Sequence, residues 1–156
     1  YVTSWSSDNA MVYAEAVLAQ YNNDIQVFLC GSDGIARGVM QACEAAGIMD
    51  KVIITGNDAD YINLGYLLEG KIVSDTAQNT RKQVVLALQS AVDLIENDGT
   101  LPASYDEQIS GYYGNGKLDN IPVVAVYAES ITSREDIQTK LIDTGLRDAS
   151  KIPGWE

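Results

Sequence analysis

With 156 residues, 46% of them apolar, the chain has the length of one domain and enough hydrophobic side chains to build a buried core. Its formal charge of −12, from 10 basic and 22 acidic residues, repels phosphate backbones and anionic lipid surfaces, which argues against nucleic-acid binding and direct membrane binding. The longest apolar runs are strand-sized, far short of the roughly 20 residues of a membrane helix, so membrane association would run through a partner or a lost lipid anchor.

Taken in order, Tyr1 to Ser4 reads as the end of a strand, and Ser6-Ser7-Asp8 caps a helix from about Asn9 to Tyr21. Met11, Ala14, Val17, Leu18 and Tyr21 recur along it at helical spacing. After the Asn22-Asn23-Asp24 turn, Ile25 to Cys30 is an apolar run without alternation, which predicts a strand covered on both faces. Ser32 or Asp33 then caps a helix to Ala46, and Gly47 supplies its left-handed C-terminal position.

Val52 to Thr55 is a second buried strand, followed by Gly56-Asn57-Asp58-Ala59-Asp60 and a short helix with Ile62, Leu64, Leu67 and Leu68. Ile72 to Thr76 is a shorter strand, and Asn79 or Thr80 opens a helix to about Glu96 with Val84, Leu88, Ala91 and Ile95 as its stripe. Leu101 to Leu118 is rich in turns and tyrosines, with a short strand near Gln108 to Tyr113. Ile121 to Tyr127 is a strand whose Pro122 suits an edge. Ile131 to Asp136 begins a last helix ending near Gly145, and the tail to Glu156 is irregular.

Strands alternating with helices imply parallel pairing through right-handed crossovers, hence an α/β fold with a doubly wound parallel sheet. In such sheets ligands sit beyond the carboxyl ends of the strands. Ser32, Asp33, Asn57 and Asp58 follow two apolar strands directly, so they are the candidate binding residues.

Cys30 and Cys43 match no metal-ligand spacing, and one pair in a chain this long is no disulfide framework. They are either buried free thiols or one disulfide. The chain has no histidine, which removes Ser–His and Cys–His nucleophilic pairs, and it has neither a GxxxxGK[ST] nor a GxGxxG loop. No catalytic residue, metal site or cofactor is expected, although a carboxylate pair such as Asp58 and Asp60 leaves acid–base chemistry open.

Six motifs then occur in a familiar order: Trp5-Ser6-Ser7-Asp8-Asn9-Ala10, Gly31-Ser32-Asp33-Gly34-Ile35-Ala36-Arg37-Gly38, Ala45-Ala46-Gly47, Gly56-Asn57-Asp58-Ala59-Asp60, Leu68-Glu69-Gly70 and Thr76-Ala77-Gln78-Asn79. Together they resemble the C-terminal half of type I periplasmic sugar-binding proteins of ABC importers, in the xylose-, ribose- and galactose-binding branch. The resemblance covers nearly the whole chain. It implies a C-terminal lobe of that fold, with residues 1–78 as the sugar-binding part and residues 79–156 as crossover helix, hinge strands and terminal helix.

By the same resemblance Trp5 stacks on a sugar ring, whose axial C–H face an indole can cover. Asp58 accepts hydrogen bonds from two neighbouring hydroxyls, a task suited to an acceptor-only carboxylate. Ser32 stands where the family usually has asparagine, a departure that shortens the side chain's reach toward a ligand. Asp33 either faces ligand or serves as a helix cap, Asn57 either touches ligand or closes its turn, and Gln78 is placed to fix one hydroxyl.

The implied partners are a monosaccharide, an ABC permease and the N-terminal lobe, carried on the same or a separate polypeptide. The implied location is the periplasm or the extracellular face of the cell membrane. One lobe's length without its mate reads as a fragment or as one chain of a split protein. The alternative function is a sugar-sensing regulatory domain, either kinase-coupled or like the effector domain of lac-repressor-type regulators.

Overall fold

Helix starts follow the side chains able to satisfy orphan N–H groups. The Ser6 Oγ accepts from the Asn9 N–H at 3.2 Å and opens α1 (Ser7–Gln20). Ser32 does the same for Ile35 at the head of α2 (Asp33–Ala45), and Asp60 for Asn63 at the head of α3 (Tyr61–Leu68). Gly47 and Gly70, at φ +68° and +74°, take the left-handed positions beyond α2 and α3 that cost other residues a Cβ clash.

A computed structural model of the chain describes residues 4–100, 102 and 128–156. Of the strand end expected at Tyr1 to Ser4 only Ser4 is described, and it lies in a turn at φ +51°; the strand near Gln108 to Tyr113 and the strand Ile121 to Tyr127 lie outside the described residues. The chain forms two compact units, Tyr1–Ala77 with Glu129–Glu156, and Gln78–Ala128.

In the first unit β1 (Val27–Leu29) pairs in parallel with β2 (Ile53–Thr55), Val27 opposite Ile53 and Leu29 opposite Thr55. Thr55 then bridges in parallel to Ser74, leading into β3 (Asp75–Gln78), which neighbours β4 (Ala128–Ile131). The strand expected at Ile72 to Thr76 is thus displaced toward its C-terminal end. Ile72 itself is buried as a core side chain.

The core gathers Ala14 and Leu18 of α1, Ala36, Val39, Met40 and Cys43 of α2, Ile54, Leu64 and Ile72. At Gly38 a Cβ would overlap the Ser7 carbonyl oxygen, so α1 and α2 touch backbone to backbone. Both cysteines are free and buried, and burial pushes the thiols up, Cys30 to about 12 and Cys43 to about 11, where they behave as small apolar groups.

The expectation that both faces of the first strands are covered does not hold within this chain. Ile54 is fully buried, whereas Val27, Leu29 and Ile53 are 48%, 82% and 47% exposed. Their shared register puts these three on one face of the β1–β2 pair. An unalternating apolar run calls for two covering layers, and the described residues provide one.

Beyond β4, the Ser133 Oγ caps Asp136, starting α5 (Arg134–Asp136), which widens into a π-helical turn over Ile137–Ile142. Ile137 and Leu141 of this segment are fully buried, and so is Ile131 of β4. The irregular tail contains a 3₁₀ turn at Ala149–Lys151 and is packed rather than loose. Ile152 is 4% exposed, and the Pro153 ring lies 3.0 Å from where a Cβ on Gly65 would stand.

In the second unit α4 (Thr80–Glu96) is the described element. Its stripe faces solvent, with Val84, Leu88 and Ile95 at 52%, 65% and 81% exposure.

Candidate functional site

Gly56 to Asp60 joins β2 to α3, and all five of its backbone N–H groups are engaged. Gly56 donates to the Ser74 carbonyl at 2.9 Å and Asp58 to the Thr76 carbonyl at 2.8 Å, continuing the sheet ladder past the end of β2. The other three go to carboxylates. Asn57 donates to Asp33 Oδ1 at 2.9 Å, Asp60 to Asp33 Oδ2 at 2.6 Å, and Ala59 to Asp75 Oδ1 at 3.1 Å.

This clamping carries a backbone that would not persist alone. Asp58 and Ala59 have φ of +120° and +50°, a region that costs non-glycine residues on the order of 1–3 kcal/mol and survives where surroundings over-determine it. From the far end of the sequence Arg147 adds a fork, Nη2 to the Asp58 carbonyl at 2.9 Å and Nε to the Ala59 carbonyl at 2.8 Å. With both sides of the turn held, the Asp58 side chain stands exposed, its Oδ1 accepting from Asn57 Nδ2 at 3.2 Å.

Ser32 is the N-cap of α2, its Oγ 3.3 Å from the Ile35 N–H, and is 5% exposed. Asp33, the first residue of α2, is 1% exposed and points inward. Besides the two turn amides it accepts from Asn63 Nδ2 at 3.0 Å. Of the two possibilities left open for Asp33, the cap falls to Ser32, and the Asp33 carboxyl grips the neighbouring turn.

Burial pushes Asp33 up to about 8, against the lowering effect of the Asp60 N–H and with help from the charges of Asp75 and Asp60. Burial also raises Asp75, against the N–H bonds from Thr76 and Ala59. The Asp60 carboxylate, in turn, is paired with Arg37 Nη1 at 2.6 Å, and the same nitrogen reaches Asn63 Oδ1 at 3.0 Å.

The fold therefore brings Asp33, Asn57 and Asp58 together, with Asn57 Nδ2 also reaching the Gly31 carbonyl at 3.3 Å beside Ser32. Trp5 is 74% exposed at φ +61°, and its carbonyl lies 3.3 Å from where a Cβ on Gly34 would stand, near the head of α2. Gln78 ends β3, half-buried, two residues after Thr76.

A groove of about 410 Å³ runs from Trp5 and Gly31 past Tyr13, Val17 and Phe28, between α1, α2 and β1. Its walls are mainly apolar and include neither Asn57 nor Asp58, so its chemistry does not suit a polyhydroxyl ligand. Among the described residues no group of three His, Cys, Asp or Glu is placed to hold a metal ion, and no helix is long and apolar enough to cross a membrane.

Sequence reasoning missed Asp75, Asn63 and Arg147. A signal existed for Asp75, a carboxylate inside the strand expected at Ile72 to Thr76, because a charged group buried in a strand must be paired or hydrogen-bonded. None existed for Arg147, which sits in an irregular tail 88 residues from its partner Ala59.

Residues 1–99 match the model of the periplasmic binding protein domain family. The D-xylose-binding periplasmic protein of Haemophilus influenzae is 25% identical over 143 residues, covering 92% of this chain and 41% of that protein. The D-xylose-binding periplasmic protein of Escherichia coli is 34% identical over 70 residues, covering 45% of this chain and 21% of that protein. Among solved structures, a carbohydrate transporter solute binding protein from Chloroflexus aurantiacus, in complex with D-glucose, superposes with a TM-score of 0.77 at 27% identity. It covers 99% of this chain and 44% of its own. The chain thus spans less than half the length of each of these proteins.

Proposed function

Because the chain belongs to the periplasmic binding protein domain family, we propose that it binds a monosaccharide, a pentose or hexose, as one lobe of the substrate-binding receptor of an ABC sugar importer. The observation carrying this reading is the clamped turn: five engaged N–H groups and two engaged carbonyls hold Asp58 in place while its carboxylate remains exposed. A fixed carboxylate accepts from two neighbouring hydroxyls without being reorganised on binding, which is how polar specificity is obtained at low cost.

In this reading Trp5 covers the apolar face of the ring, Asn57 and Gln78 supply amide donors and acceptors, and Asp58 takes the hydroxyl pair. Ser32 and Asp33 act from behind, Ser32 by ending the strand–helix turn and Asp33 by holding Asn57 and Asp60. The chain is a binder, with no cofactor and no chemistry on its ligand. Residues 1–78 carry the contacts, and residues 79–156 contain the crossover and the terminal helix.

Two apolar surfaces support a complementary lobe as partner, on the same or a separate polypeptide. One is the exposed face of Val27, Leu29 and Ile53, and the other is the α4 stripe of Val84, Leu88 and Ile95. The permease is the further partner, and the periplasm or outer membrane face is the location. The relatives are D-xylose-binding proteins and a structure in complex with D-glucose, so those two sugars are the first to try.

The test is calorimetric titration of this chain, alone and joined to its complementary lobe, with D-xylose, D-glucose and D-ribose. The reading expects saturable one-to-one binding of at least one sugar by the joined protein and none of comparable strength by the lone lobe. No heat from any of the three with the joined protein would overturn it.

A further inference from the structure

Asp75 is the single charged side chain of β3 and, like Asp33, is 1% exposed. Both carboxyls converge on Gly56. A Cβ there would lie 2.5 Å from Asp33 Oδ1 and 2.7 Å from Asp75 Oδ2, so only glycine lets the two groups approach from either side.

Their hydrogen bonding is lopsided. Asp33 accepts three N–H bonds, from Asn57, Asp60 and Asn63. Asp75 takes two on Oδ1, from Ala59 at 3.1 Å and Thr76 at 2.7 Å, while its buried Oδ2 has no N–H or hydroxyl donor. That oxygen and Asp33 Oδ1 stand 2.7 and 2.5 Å from the same point beside Gly56, which brings the two carboxyls side by side. Two acceptor-only carboxylates buried side by side disfavour each other's charge, and one proton between them gives the orphaned oxygen its partner.

We propose that Asp33 and Asp75 share a single proton and act jointly as positioning residues, fixing the Asn57–Asp60 turn and hence the exposed Asp58 carboxylate. The role assigned to Asp58 rests on the sugar-binding reading; the shared proton does not. Burial raises both carboxyls from their ordinary values, in keeping with a retained proton.

The charges around the pair are Asp60 at the head of α3, which disfavours a second negative charge, Arg37 of α2, committed to Asp60, and Arg147 of the tail, committed to the turn carbonyls. The Cys30 thiol at the end of β1 stays neutral. The folded pair keeps a proton that the unfolded carboxyls release near pH 4. The stabilisation is therefore complete below about pH 4 and is lost as pH rises through about 8. Above that, repulsion drives apart the two carboxylates that hold Asn57, Ala59 and Asp60.

The hydrogen-bond pattern says which side tolerates an amide. In Asp75→Asn, Oδ1 can still accept from Ala59 and Thr76 while Nδ2 donates to Asp33, reproducing the protonated pair without a titrating proton. In Asp33→Asn an NH₂ group must face backbone N–H donors.

The experiment uses the joined two-lobe protein between about pH 6 and about pH 9.5, reading sugar-free amide protection at Asn57, Ala59 and Asp60 alongside D-xylose and D-glucose affinity. In the wild type, protection and affinity should fall together by about tenfold or more above pH 8. Asp75→Asn should hold both level, and Asp33→Asn should lose protection already at pH 7. A flat wild-type profile, or an Asp75→Asn variant that falls in parallel with the wild type, overturns the proposal.

Infrared difference spectroscopy of the wild type keeps the proposal falsifiable should a variant fail to fold. It should show a protonated carboxyl stretch at pH 7 that vanishes by about pH 9.5, and its absence at pH 7 is decisive against the pair. If the protection pattern holds but neither sugar binds at any pH, the pair stands and the sugar reading falls.

Discussion

Arg147 donates from Nε to the carbonyl of Ala59 at 2.8 Å across 88 positions of sequence, and so fastens the tail of the chain to the turn that displays Asp58. The same guanidinium reaches the next carbonyl back, that of Asp58, so one planar group holds two successive strained residues. Lysine, a point charge on a flexible stem, has no equivalent fork.

Arg147→Ala should therefore lower stability by about 1–3 kcal/mol, through two lost charge-assisted bonds and a released turn. Arg147→Lys should recover less than half of that. Urea denaturation of the three proteins reads the difference, and equal midpoints for wild type and Arg147→Ala would show the fork to be idle.

Gly56→Ala tests how tightly the two buried carboxyls are drawn together. The added methyl would meet Asp33 Oδ1 at 2.5 Å and Asp75 Oδ2 at 2.7 Å, on two carboxyls that backbone N–H bonds to Asp33 Oδ1 and Asp75 Oδ1 keep from swinging away. Overpacking of this kind costs typically about 1–3 kcal/mol. Gly31→Ala, where nothing lies within 4 Å of the added carbon, is the control and should be nearly neutral. Thermal melts that rank the two variants together would contradict this geometry.

The α4 stripe gives a solution prediction. Leu88 and Ile95, 65% and 81% exposed, should drive the lone lobe to self-associate at high concentration, whereas Leu88→Glu/Ile95→Glu should remain monomeric. Light scattering across a concentration series distinguishes them. A wild-type lobe that stays monomeric throughout would remove this helix from the case for a partner.

Much of the scaffold is local and could be read locally. Ser6, Ser32 and Asp60 cap the helices that follow them, and Gly47 and Gly70 end the helices that precede them, because capping chemistry needs only neighbours in sequence. The polar groups after β1 and β2 were visible because apolar strands stop abruptly at Cys30 and Thr55.

What could not be read was set by distance or by covering layers. Arg147 meets Ala59 only after the chain has folded back, and Asp33 turns inward because Asn57, Asp60 and Asn63 all present donors to it. The exposed face of Val27, Leu29 and Ile53 escaped the sequence because hydrophobicity records that a surface needs cover, not which segment supplies it.

The central claim is that Asp58, held by this turn, takes the hydroxyls of a sugar. Its most direct test is calorimetry of the joined two-lobe protein and its Asp58→Ala variant, with whichever of D-xylose, D-glucose and D-ribose binds the wild type best. Losing a charged acceptor for buried hydroxyls should weaken binding by about 2–4 kcal/mol, with the thermal midpoint nearly unchanged because the Asp58 side chain is exposed. Equal affinity in the two proteins would contradict the account.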